Sequence, residues 1–283
     1  MKQFYEVFSK PEFRKLEDSI HKGVHIDGYS ISQCNFRTPA TACRFGDESW
    51  VLVGDSYAGV FHNALKEILE QQGRGLIVLT GEQDPFVSSD IWFGNVPSTP
   101  RMNKLRWEFI RQFKHPKTFL IVSNYYAFNH PKKKVPSKNA LRDEAIEATK
   151  IRPDIAWQSY ADNINKLIDL GHTVYVVYHI PLPDINVTIE FFKQLKSLKC
   201  LYPKFENQYH TGHCKRAHEY AKKLDSYLKD RPGLHKIYPT EVLCKNGQTR
   251  IIGPTGGLYH GGGHLSYFGA KMVLEELIFN NKK

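Results

Sequence analysis

An apolar run from Ser49 to Asp55 stops abruptly at Gly54-Asp55-Ser56, just before a helical pattern begins. Near-continuous apolarity is what a central parallel strand, covered on both faces, requires. A glycine-containing turn lifts the next side chain above the sheet edge, and the first amides of the following helix point unpaired toward it. Ser56 is therefore a candidate nucleophile in a solvent-reachable cleft, with those amides, its own included, as candidate oxyanion donors. The plainer alternative is that Asp55 and Ser56 cap a helix running from Tyr57 to Gln72.

A serine needs a base, and the late segment His264-Leu265-Ser266-Tyr267-Phe268-Gly269-Ala270 offers one on a glycine-rich loop immediately before a helix. An exposed loop histidine is the bland reading. Between the two segments, strands at Leu76 to Thr80, Thr118 to Ser123, Thr173 to Ile180 and His235 to Tyr238 alternate with helical patterns. The helices fall at Arg101 to Phe113, Ile151 to Gly171, about 185 to 198 and 214 to 229. Alternation of this kind predicts a three-layer α/β/α sandwich around a parallel sheet of about five strands. The division expected is an N-terminal helical or irregular extension over 1–48, with an amphipathic stretch from Phe4 to His21, followed by one domain over 49–283.

The Ser56 and His264 blocks together resemble the SGNH, or GDSL-like, hydrolase superfamily. More narrowly, the chain is similar to the SGNH domain fused behind the membrane part of acyltransferase-3 family proteins, the O-acetyltransferases of bacterial surface glycans. Four segments carry the narrower resemblance: Cys43 to Gly46, Val174 to Pro181, Tyr238 to Cys244 and His264 to Ala270. It implies a flavodoxin-like fold and a serine-dependent carbohydrate O-acyl (acetyl) transferase or esterase that works through an acyl-enzyme on Ser56, with His264 as base. It also implies oxyanion donors among Gly81, Gly94 and Asn124, the two glycines qualifying by position after the second strand. Turn geometry is the plain reading of both glycines, and a turn role is the alternative for Asn124.

One position departs from the pattern. The superfamily's acid stands three residues before the histidine, where this chain has Gly261. A Ser-His dyad with a backbone carbonyl on the ring, a carboxylate such as Asp84 or Asp184 reaching in, a loss of turnover, or an introduced substitution would each account for it. The second functional reading is accordingly a catalytically impaired, glycan-binding domain.

Composition narrows the partners. The formal charge of +10 is enough to attract polyanions, but it is spread along the chain, and its densest run, Lys132 to Lys134, reads as a loop between prolines. No nucleic-acid module accompanies it. A solvated surface explains the bias, and an anionic glycan or membrane surface fits as well as nucleic acid. The five cysteines show no metal-ligand spacing, so neither a metal nor a cofactor is expected. Cys34 and Cys43 are close enough to close a small loop in an oxidising compartment, and buried reduced thiols are the alternative. The resemblance implies a glycan acceptor, an acyl donor and, for a domain excised from a longer protein, a membrane acyltransferase partner on the extracytoplasmic side. With no signal peptide visible, a complete chain would be cytoplasmic.

Overall fold

The computed structural model describes residues 25–26, 29–30, 34, 37–93, 99–136, 146–188, 206–254, 256–260 and 263–280. The expected Phe4 to His21 helix, most of the 185 to 198 helix, Gly94, Cys200 and Gly261 lie outside them.

Six strands form the main sheet: β1 (Arg44–Phe45), β2 (Trp50–Gly54), β3 (Leu76–Thr80), β4 (Thr118–Val122), β5 (Thr173–Val177) and β6 (Leu234–Ile237). Their order is β6-β5-β4-β2-β3-β1, parallel throughout except for β1, which runs antiparallel on β3. The five parallel strands thus follow the flavodoxin-like order, and β2 sits in the interior as its apolar run requires. The sixth strand comes from the segment before Ser49.

Successive residues of β2 feed opposite layers. Trp50 and Leu52 join a core with α1 (Ser56–Gly59), α2 (His62–Gln71) and the late helix α7 (Tyr267–Leu274). Val51 and Val53 join a second core with α3 (Thr99–Ile110), α4 (Pro153–Asp169) and α5 (Cys214–Tyr227). The helix expected from Tyr57 to Gln72 is broken at Val60 and Phe61, both buried in the first core. A further four-residue helix, α6 (Thr240–Leu243), follows β6.

One segment read as a loop is ordered otherwise. Lys132–Pro136 is a strand paired antiparallel with Ile146–Lys150 and with Ile91–Trp92. Backbone pairing with a partner containing Ile and Thr, both strand formers, overrides the flanking prolines there. After β3, Phe86, Val87, Ile91 and Phe93 are buried in the second core.

Two disulfides are present among the described residues, Cys34–Cys43 and Cys214–Cys244. The second, across 30 residues, has no short spacing to announce it in the sequence.

Candidate functional site

Strands β2 and β4 are neighbours, but the chain leaves β2 toward β3 on one side and returns to β4 on the other. Open α/β sheets form their ligand crevice at such a reversal, beyond the strands' C-terminal ends. Ser56 follows β2 here and Asn124 follows β4.

The turn after β2 depends on a close approach. Gly54 has φ +146°, and a Cβ on it would lie 1.8 Å from the Val122 carbonyl oxygen. Asp55 then caps α1: its Oδ1 accepts the Tyr57 N–H at 2.9 Å, and its Oδ2 accepts the Asn124 N–H at 2.7 Å. Asp55 therefore both starts the helix and ties β4's end to the serine turn. Burial pushes its carboxyl up to about 6, while those two donors and the Arg106 guanidinium act to lower it. Ser56 is left out of the capping role. It is half-buried, and its Oγ lies 3.0 Å from Nε2 of His264.

His264 is placed by what surrounds it in the chain. Its short strand pairs with Tyr259–His260, setting His264 opposite His260. Ser266 caps α7 by accepting the Gly269 N–H and donates to the Gly257 carbonyl at 2.6 Å. Gly269 is required at that approach, since a Cβ there would stand 2.1 Å from the Leu258 carbonyl oxygen. Tyr267 donates to Glu67 on α2, and Lys271 bonds the same carboxylate at 2.8 Å. The Tyr57 ring packs against the imidazole at 4.8 Å between centroids. Burial first, and the charge of His260 second, hold the His264 pKa below its usual value.

The other expected residues are placed as follows. Asn124 has its Oδ1 on the Tyr126 N–H at 3.1 Å, which leaves its Nδ2 to donate elsewhere. The Gly81 N–H donates to the Gly54 carbonyl at 3.0 Å, so that amide is occupied within the sheet margin and is not free to donate to an oxyanion. Neither carboxylate suggested for the vacant acid position reaches His264. Asp84 is buried against Gly81 and beside Arg106, and Asp184 bonds Nε2 of His213 at 2.9 Å. The loop carrying Asp184 does approach the site, because Leu182 stands against Gly263, next to His264.

The structure adds one group to this set. Fully buried Arg106 donates to the Gly54 carbonyl at 2.9 Å and, through its other terminal nitrogen, to the Asp84 carbonyl and Asn103 Oδ1 at 2.8 Å each. Burial lowers its pKa to about 10, with Asp84 and Asp55 opposing the fall, so it stays charged beneath the serine turn. The sequence did carry a signal: Arg106 stands midway between buried Met102 and Ile110 at four-residue spacing on the inward face of α3.

Residues 31–278 match the family described as the SGNH domain fused to AT3 domains. The chain belongs to that family. As an SGNH domain it shares its fold with the periplasmic domain of a lipopolysaccharide acetyltransferase from Salmonella ser. Paratyphi A. The TM-score is 0.54 at 17% identity, covering 97% of this chain and 95% of that one. A Streptococcus pneumonia structure, provisionally assigned as a platelet activating factor, gives 0.43 at 8% identity, covering 97% and 96%; at that score it carries no argument. No curated protein matches. Among the described residues of this SGNH domain, no helix is long and apolar enough to cross a membrane, and no cluster of metal-ligating side chains occurs.

Proposed function

We propose that this SGNH domain is a serine-dependent O-acyl enzyme acting on cell-envelope glycans. The observation that carries the reading is the Ser56 Oγ to His264 Nε2 contact at the sheet's switch point. His264 Nε2 takes the Ser56 proton as Oγ attacks an acetyl ester carbonyl. The tetrahedral oxyanion is held by the Ser56 N–H, for which the start of α1 offers no internal acceptor, and by Asn124 Nδ2. Collapse returns the proton to the leaving alcohol and leaves acetyl on Ser56. A glycan hydroxyl, deprotonated by the same imidazole, then takes the acetyl; water in its place gives hydrolysis.

Membership of a family fused to AT3 domains favours transfer, with the membrane domain as the source of acyl groups. Two disulfides accord with an oxidising, extracytoplasmic setting. The test is turnover of p-nitrophenyl acetate, which Ser56→Ala should abolish. The absence of a carboxylate on His264 among the described residues favours the second reading, a glycan-binding domain without turnover. That reading is supported if neither protein turns over and both bind glycan equally.

A further inference from the structure

The groove between α5 and the turn after α6 takes no part in the Ser56 chemistry. Lys215, Glu219 and Lys222 follow one another at helical spacing along a single face of α5, and Lys245 forms the facing wall. The Cys214–Cys244 disulfide joins the two walls, and the space between them is about 550 Å³. Lys66, Lys104, Lys236 and Lys271 each have a carboxylate partner. Among the described residues Lys215, Lys222 and Lys245 have none, and all three are exposed. Cations on both walls of one cleft, with Glu219 the only acid lining it among the described residues, create a positive potential inside the cleft. Lys245 also lies over the Tyr209 ring at 5.7 Å, where the groove meets a second hollow of about 400 Å³.

The shape limits the ligand. The exposed large apolar side chains among the described residues, Tyr126, Ile155 and Leu170, are not in the groove, so it has nothing to insert into a lipid surface. Its Gly212 end is bridged to Pro183, and the adjoining Leu182 stands against Gly263 beside His264. A chain lying in the groove therefore leaves it beside the loop that flanks the base.

We propose that this groove binds an acidic glycan, with carboxylate or phosphate groups held between Lys215, Lys222 and Lys245, and that it is the acceptor subsite for Ser56. The acceptor role rests on the acyl-transfer reading above; the binding does not. Calorimetric titration of the purified chain with polygalacturonate and with phosphomannan tests it, with neutral dextran for comparison. At least one acidic polymer should bind in a salt-sensitive way, and dextran should not. The variant Lys215→Glu/Lys222→Glu/Lys245→Glu should lose affinity by about tenfold or more, while Lys104→Glu/Lys114→Glu/Lys150→Glu, of equal charge, should stay within about twofold. Equal losses in both variants, binding to neither acidic polymer, or binding only to phosphatidylglycerol vesicles would overturn the proposal. p-Nitrophenyl acetate turnover on the same preparation separates the two claims. Ser56-dependent turnover without polymer binding removes the groove alone, and polymer binding without turnover removes only its acceptor role.

Discussion

Nε2 of His264 lies 3.0 Å from Oγ of Ser56 across a sequence separation of 208 residues. Each partner is fixed by its own neighbours. Asp55 takes the capping duty that would otherwise have occupied the serine hydroxyl, and the Ser266 cap with the Tyr259–His260 pairing fixes where the histidine chain turns. The Tyr57 ring then packs on the imidazole, so the residue after Ser56 also helps to place His264.

In the proposed reaction His264 acts as neutral imidazole. Burial and His260 depress its pKa, so at a given mildly acidic pH more of it is neutral than of a free histidine. Followed by NMR, His264 should titrate below 6.5, and His260→Asn should move its midpoint upward by removing a neighbouring positive charge. A midpoint above 6.5 in the parent chain would show that an unseen anion faces the ring.

Among the described residues no carboxylate bonds His264. Gly261→Asp, at the family's acid position, should raise p-nitrophenyl acetate turnover by about an order of magnitude or more if the acid is simply missing. A flat or lower rate in a normally folded variant would mean that a backbone carbonyl already orients the ring.

Much of the fold was legible because burial on both faces leaves a plain trace. Leu76 to Thr80 is an unbroken apolar run closed by a threonine, and the strand occupies those residues. The Ser56 and His264 positions were legible because each adjoins a helix start whose capping residue stands in sequence beside it. Arg106 was harder to read, its four-residue spacing from Met102 and Ile110 competing with the rule that a charged side chain inside an amphipathic helix signals the solvent face; its burial rests on hydrogen bonds to the Gly54 and Asp84 carbonyls and to Asn103 Oδ1, with Asp55 and Asp84 nearby. The Lys132–Pro136 strand and the Cys214–Cys244 bridge escaped for a related reason. Each is fixed by a partner outside its own segment, Ile146–Lys150 and Ile91–Trp92 for the strand and a cysteine 30 residues away for the bridge, which local composition does not encode.

Gly54 cannot be replaced cheaply. In Gly54→Ala the new methyl would lie 1.8 Å from the Val122 carbonyl oxygen, in a backbone conformation that L residues rarely adopt. Either β2 and β4 separate at their C-terminal ends or the chain does not fold. A stability loss of at least about 4 kcal/mol, or insoluble protein, is expected, and urea unfolding of any soluble fraction measures it.

His62 is buried with no hydrogen-bond partner for either ring nitrogen among the described residues, and burial pushes its pKa down to about 4. The unfolded chain takes up that proton near pH 6.5, whereas the folded chain does so only near 4. Stability is therefore lost as pH falls through this window, by roughly 3 kcal/mol from this residue. Asp55, raised to about 6, acts in the opposite sense, so the comparison must be between the parent and His62→Leu. The variant should be the less acid-sensitive of the two in urea unfolding at pH 7 and pH 5; equal sensitivity would mean that the ring is hydrated.

The most direct measurement is mass spectrometry of the Ser56-containing peptide after brief exposure to p-nitrophenyl acetate and acid quench. The account predicts one acetyl group on Ser56 in the parent protein, none on that peptide in Ser56→Ala or His264→Gln, and turnover at least about a thousandfold lower in both variants. Turnover that persists in Ser56→Ala, or an acetyl group on Ser56 that forms equally well without His264, would contradict it.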